Sequence, residues 1–388
     1  MLGSKNYLNT LRIDFNHQTT MKNLLFLLTL IFLIGCGGDK DSSKQSEEKK
    51  VVTPKKTANQ GRVELIEPIP TEPNYVYEII GNKAVITKYN GSAESLTIPD
   101  TIEDVPVTEI RAKAFAGSTT LKSIIIGENV TVIGRWAFSG CTGLYSIEIP
   151  SGVTSIGELA FDNCTNLDSI NVGDDNQYYS SEDGVLYDNG KTKIIQCPLG
   201  KSGSLTVAKG VSSIDSYAFR SCGKITSVVF GNDIKSIGVG AFYNCVGLNA
   251  VTLPESISSI GDMAFYKCTN LSSIAIPANI TTIGVQMFGN CSSLRQVNIP
   301  EGVISISKGA FFECADLSKI TIPSSVRSLG RGAFSRCENL ESVTFLGDAP
   351  SASPDSFGGS EPTIYFSSGT QGWADTFAGL TAEAVSSE

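Results

Sequence analysis

A phenylalanine recurs every 23 residues in this chain: Phe115, Phe138 and Phe161, then Phe219, Phe242, Phe265, Phe288, Phe311, Phe334 and Phe357. Other columns keep the same step. Five residues before the ring, as far as Phe334, stands an aliphatic: Ile110, Ile133, Ile156, Ile214, Ile237, Ile260, Ile283, Ile306 and Leu329. Three residues after it stands a cysteine: Cys141, Cys164, Cys222, Cys245, Cys268, Cys291, Cys314 and Cys337, with Ser118 and Ser360 at the two ends. A unit this short has too few internal contacts to fold alone. It must stack on its neighbours and share one continuous core, so the period predicts a solenoid.

Within the unit, Leu144-Tyr145-Ser146-Ile147-Glu148-Ile149 alternates apolar and polar residues, the period of a strand with one buried face. Stacked copies make a parallel sheet. Val153-Thr154-Ser155-Ile156-Gly157 predicts a shorter extended piece across the coil, with Gly157 freeing the backbone to turn into Ala160-Phe161. Pro150, Pro254, Pro277, Pro300 and Pro323 close the strand segment in their units.

The L-x-x-L-x-L spacing of Leu144, Ile147 and Ile149 is that of a leucine-rich repeat. The run from Ile260 through Ala264-Phe265, Cys268, Leu271, Ile274 and Ile276 to Pro277 resembles the BspA-like class of bacterial leucine-rich repeats. The resemblance covers about Tyr75 to Phe377. It implies an α/β repeat solenoid, mostly β: a right-handed coil with a parallel sheet on the concave side and short β or helical-turn segments on the convex side. Known members are surface or secreted proteins, several of them implicated in adhesion to host or matrix proteins.

One period is irregular. The step from Phe161 to Phe219 is 58, an addition of 35 residues. The two apolar runs around Asp188-Asn189-Gly190, Val185-Leu186-Tyr187 and Lys193-Ile194-Ile195, predict a β-hairpin. The unit, residues 173–207, reads as a variant coil keeping the stack in register rather than as a binding protrusion; Cys197 lies in it, off the cysteine ladder. Residues 74–100 lack the Phe column and read as the N-terminal cap, 101–347 as the repeats, and 348–388 as a terminal repeat and C-terminal cap that includes Trp373 and Phe377.

Ahead of the repeats, Met21-Lys22 opens a positive segment followed by the apolar run Leu24 to Ile34 and by Gly35-Cys36. The run is short for a membrane span and reads as a signal peptide. Leu33-Ile34-Gly35-Cys36 resembles the lipobox of bacterial lipoproteins, which implies a lipid-modified Cys36 as the mature N-terminus. The expectation is export, with lipid anchorage to the bacterial outer membrane and surface exposure. Residues 1–35 are then an upstream extension and signal peptide, with Met1 or Met21 as the start. Residues 36–73 are polar and read as a flexible tether.

Composition narrows the function. The net charge of −9 gives no surface for nucleic acid. The single histidine, His17, precedes the expected cleavage point, which removes histidine-based catalysis and metal sites from the mature chain. Asp174-Asp175-Asn176 lacks a calcium-loop pattern and reads as a polar turn. No metal, cofactor or enzymatic activity is expected. The ladder cysteines have no partner column; stacked equivalents point in parallel, which disfavours disulfides and predicts buried thiols.

Binding is the remaining function. The outward residues of the sheet are the expected surface: Ser146, Glu148, Asn171, Thr252, Gln296, Asn298, Lys319 and Thr321. Tyr243, Tyr266 and Phe312, each following a column phenylalanine, form a second candidate strip, although covering the corner of the solenoid is their simpler role. The expectation is a monomeric lipoprotein, anchored to the membrane only through its lipid, whose ectodomain binds a protein of a host, a matrix or a neighbouring cell surface. A carbohydrate-capturing accessory protein and a structural envelope protein are the alternatives; with only Trp136 and Trp373 as tryptophans, the first is the weaker.

Overall fold

The structure is a computed structural model and describes residues 74–386. The expected signal peptide, Cys36 and tether lie outside the described residues.

Each coil has three walls. The first is the alternating strand: Ser146–Ile149 pairs in parallel with Ser169–Val172, with Ile147 facing Ile170 and Glu148 facing Asn171. Ile147 and Ile149 are buried while Ser146 and Glu148 are exposed, as a period of two requires. Opposite runs a ladder of two-residue strands. Ser213–Ile214, Ser236–Ile237 and Ser259–Ile260 pair in register, serine on serine and isoleucine on isoleucine.

The third wall is the corner that carries the phenylalanine, and it corrects an expectation. No helix or helical turn forms there among the described residues. The residues two before and two after each ring from Phe115 to Phe334 are left-handed: Met263 (φ 55°) and Lys267 (φ 60°) around Phe265, Gln286 and Asn290 (φ 50° and 60°) around Phe288. Two left-handed residues four apart leave no room for a helical turn. The corner is instead a chain of tight turns, with Tyr266 N–H donating to Met263 O (3.0 Å) and Cys268 N–H to Phe265 O (3.2 Å). The amides this frees point along the stack: Phe242 N–H reaches Ala264 O of the next coil at 2.8 Å, and Phe265 N–H reaches Met287 O at 3.0 Å. All three walls are thus hydrogen-bonded from coil to coil, satisfying backbone that a buried irregular corner would leave orphaned.

The role expected for Gly157 also changes. Its φ is not left-handed. A Cβ there would collide with the Arg135 amide and lie 2.6 Å from the Gly134 carbonyl carbon; at Gly261, in the same column, it would lie 2.5 Å from Val239 N. The glycine allows close approach of successive coils rather than a special turn.

The phenylalanines form continuous stacks. Phe219 to Phe357 follow at centroid distances of 4.7–5.6 Å with nearly parallel planes. Phe115, Phe138 and Phe161 form a second stack, which Tyr89 of the cap begins by lying 5.3 Å from Phe115. The cap therefore fills the column with a different aromatic.

The irregular unit separates these stacks. The hairpin forms, Val185–Asp188 pairing with Lys193–Gln196, and an additional strand, Tyr179–Glu182, pairs on the outer side of Val185–Asp188. Leu186 packs into the N-terminal core while Val185 and Tyr187 pack into the C-terminal one. One strand seals both cores because successive side chains point to opposite faces.

The nine described cysteines are buried and unpaired. Each ladder thiol from Cys245 to Cys337 donates to the carbonyl of the phenylalanine one coil back, as in Cys245 to Phe219 O (2.9 Å) and Cys268 to Phe242 O (3.2 Å). Ser360 makes the same bond to Phe334 O at 2.7 Å. The column holds a small hydrogen-bond donor, and that explains why serine can replace cysteine in it. A disulfide would remove the S–H and with it one of the two hydrogen bonds that each buried carbonyl accepts, the other coming from the cysteine N–H of its own coil.

Candidate interaction surface

The sheet wall turns every second side chain to solvent, and all eight sequence-predicted sheet residues are exposed there. They do not form one cluster. Ser146, Glu148 and Asn171 sit together before the irregular unit, with Glu148 and Asn171 side by side in register. Thr252 stands apart, opposite Val229. Gln296, Asn298, Lys319 and Thr321 come from two successive coils and line one groove of about 740 Å³.

Neighbouring residues complete this groove. Lys319 and Thr321 pair in register with Ser342 and Thr344, which extend the polar grid by one strand. Both were legible as the same columns one period on. Arg295 and Leu346, also in the lining, fall outside the alternating positions and carry no periodic signal. The electrostatics are uneven. Arg295 is paired with Asp316 at 2.7 Å. Glu301 is bound by Ser324 and Ser325, whose amides and hydroxyl donate to it at 2.9–3.1 Å. Its slight burial acts upward on its pKa, but these bonds outweigh it and hold the carboxyl below the ordinary value. Lys319 has no ion-pair partner among the described residues. It is an exposed cation inside a frame of amides and hydroxyls, beside the apolar Leu346.

The aromatic strip is half-buried. Tyr243 stacks on Tyr266 at 5.1 Å. Tyr266 in turn covers Gly289, where a Cβ would lie 2.9 Å from its ring. Arg220 and Lys267 lie over the two rings at 5.6 and 5.7 Å. Phe312 is separated from them by the Gly289 coil and borders a different cavity of about 400 Å³. These rings cover the corner, and the structure does not join them into one surface.

A model of the BspA type leucine rich repeat region matches residues 79–198 and 212–341, in 6 copies. The chain belongs to this family. No curated protein matches it significantly. Among solved structures, this BspA-type chain is similar to a leucine-rich repeat protein from Eubacterium ventriosum, at 20% identity and a TM-score of 0.57, over 72% of this chain and 90% of that one. That likeness shows the same fold. A leucine rich cell surface protein from Faecalibacterium prausnitzii is 25% identical over 73% of this chain and 96% of its own, with a TM-score of 0.41. The pneumococcal vaccine antigen PcpA is 19% identical over 77% of this chain and 93% of its own, with a TM-score of 0.47.

Proposed function

We propose that this BspA-type protein is a cell-envelope interaction protein that binds protein partners on its sheet face. The observation that carries this reading is the groove, where side chains from three successive strands present amides, hydroxyls and one unpaired cation around an apolar edge. A flat array of this kind suits a protein surface, where one desolvated charge or anchor dominates affinity. Lys319→Glu should reduce partner binding tenfold or more, and Glu148→Ala, in a separate two-stranded sheet of the same wall, should leave it unchanged, by the measured range of such charges. The check is surface plasmon resonance of the full-length chain against immobilised matrix proteins and glycans in parallel. Equal loss from both substitutions would remove the groove from the reading. Binding to glycans alone would favour the carbohydrate-capturing alternative.

The proposal includes export and anchorage through Cys36, from Leu33-Ile34-Gly35-Cys36. Cys36→Ala should abolish fatty-acid labelling and move the protein from membrane to soluble fractions. Unchanged labelling would end the idea.

A further inference from the structure

The corner wall has a notch, and its cause is a shortage of residues. In a regular coil four residues separate the aliphatic from the phenylalanine, as between Ile214 and Phe219. In the irregular coil Ile194 pairs in register with Ile214. Cys197 takes the phenylalanine's place: its N–H donates to Ala218 O at 2.8 Å, the bond that Phe219 N–H makes to Ala241 O at 2.8 Å. Only Ile195 and Gln196 remain between them. The corner is two residues short, and a cleft of about 320 Å³ opens between Glu158-Leu159 on one side and Asp215-Ser216 on the other.

The cleft carries unspent hydrogen-bonding capacity. Gln196 lines it and is only 8% exposed; among the described residues its carboxamide has no hydrogen-bond partner, and since no fully enclosed side-chain polar atom there lacks one, it opens to the cleft. In regular coils the corresponding amides cross to the next coil: Lys113 N–H to Arg135 O at 3.1 Å and Tyr217 N–H to Val239 O at 2.9 Å. Leu159 N–H makes no such bond among the described residues, because the residue that would supply the carbonyl is missing from the short corner. At the rim, Asp215 lies 3.9 Å from Lys193 and accepts the Ser216 N–H at 3.0 Å through one oxygen, and Glu158 pairs with Arg135 at 2.9 Å. Ile156 and Ile195 supply apolar wall.

We propose that the notch is a second binding site, distinct from the sheet face, that takes one arginine side chain presented by a protein partner. An arginine has an apolar stem for the isoleucine wall and a planar head with five donors for Asp215, Glu158 and the Gln196 oxygen. Its own carbonyl supplies the acceptor that Leu159 N–H lacks. The volume suits one residue, near the lower end of ligand pockets at roughly 300 Å³.

The test is ligand-observed saturation-transfer NMR on the full-length chain, with N-acetyl-argininamide as probe and the neutral isostere N-acetyl-citrullinamide beside it. Argininamide should bind about tenfold more tightly than the citrulline compound, the loss expected when charge-assisted bonds become neutral ones. Gln196→Leu and Asp215→Asn should each weaken it by a similar factor, while Lys319→Glu leaves it unchanged, which keeps this site separate from the groove. If circular dichroism shows Gln196→Leu to be unfolded, the half-exposed Asp215→Asn decides alone. Equal binding of the two probes, no binding of either, or indifference to Asp215→Asn would overturn the proposal.

Discussion

Phe265→Ala should destabilise the protein by about 3–5 kcal/mol, the range for a large aromatic removed from a packed core. The ring is fully buried and lies between Phe242 and Phe288, at 5.3 and 5.6 Å. Alanine removes its transfer energy, opens a cavity, and deletes two stacking contacts of roughly 0.5–1.5 kcal/mol each. Close packing on both sides keeps the coils from collapsing into the space. Urea unfolding followed by circular dichroism should show a lower midpoint, or an early transition of the central coils, because repeats are coupled only through their neighbours. Tyr266→Ala, one residue away on the outer side of the corner, should cost clearly less, about 1 kcal/mol. Equal effects at the two positions would mean that the inner column is not the core.

Alkali should unfold the protein through its cysteines. Burial pushes the thiols of Cys245, Cys268 and Cys314 far above the ordinary value of 9.0, and those of Cys291 and Cys337 up to about 12. The folded chain therefore keeps protons that the unfolded chain releases. Stability is fully present below pH 9 and is lost as the pH rises from there towards 12. Each such thiol removes roughly 1 kcal/mol per pH unit over that window. The urea midpoint should hold steady from pH 7 to 8.5 and fall steeply above pH 9. Cys291→Ser should make the fall shallower, since serine keeps the hydrogen-bond donor without titrating. The native thiols should also react slowly with a thiol reagent, being shielded and protonated. After denaturation without reductant the ladder thiols should all be titratable; if they appear only after reduction, the column is disulfide-bonded.

The period, the inward columns and the strand alternation were legible because each depends on residues within one coil or repeated at a fixed step. Val185-Leu186-Tyr187 likewise announced its hairpin through Asp188-Asn189-Gly190. The corner was not legible. Its left-handed positions are occupied by residues as different as Trp136, Tyr217, Met263 and Gln286, so no residue type marks them. The left-handed backbone is selected by the bonds each corner makes to the next coil. Gly157 was read for its turn-forming freedom, whereas the pressure on it comes from the coil before.

The candidate surfaces divide in the same way. Alternation alone placed Gln296, Asn298, Lys319 and Thr321 on the outside of the sheet. That they share a groove with Arg295 and Leu346 depends on how successive coils lie against one another. The notch at Gln196 is further still from the sequence, because it exists only through the mismatch of one short corner with two regular ones. What the sequence by itself determined is the repeating unit and which of its side chains point inward, since a one-dimensional stack reuses the same local pattern in every coil. What only the tertiary structure decided is everything set between coils: the all-turn corner, the thiol-to-carbonyl bonds, the groove and the notch. These depend on distances across the stack, where a backbone amide or carbonyl takes whichever partner the neighbouring coil presents, and no residue-by-residue preference records that choice.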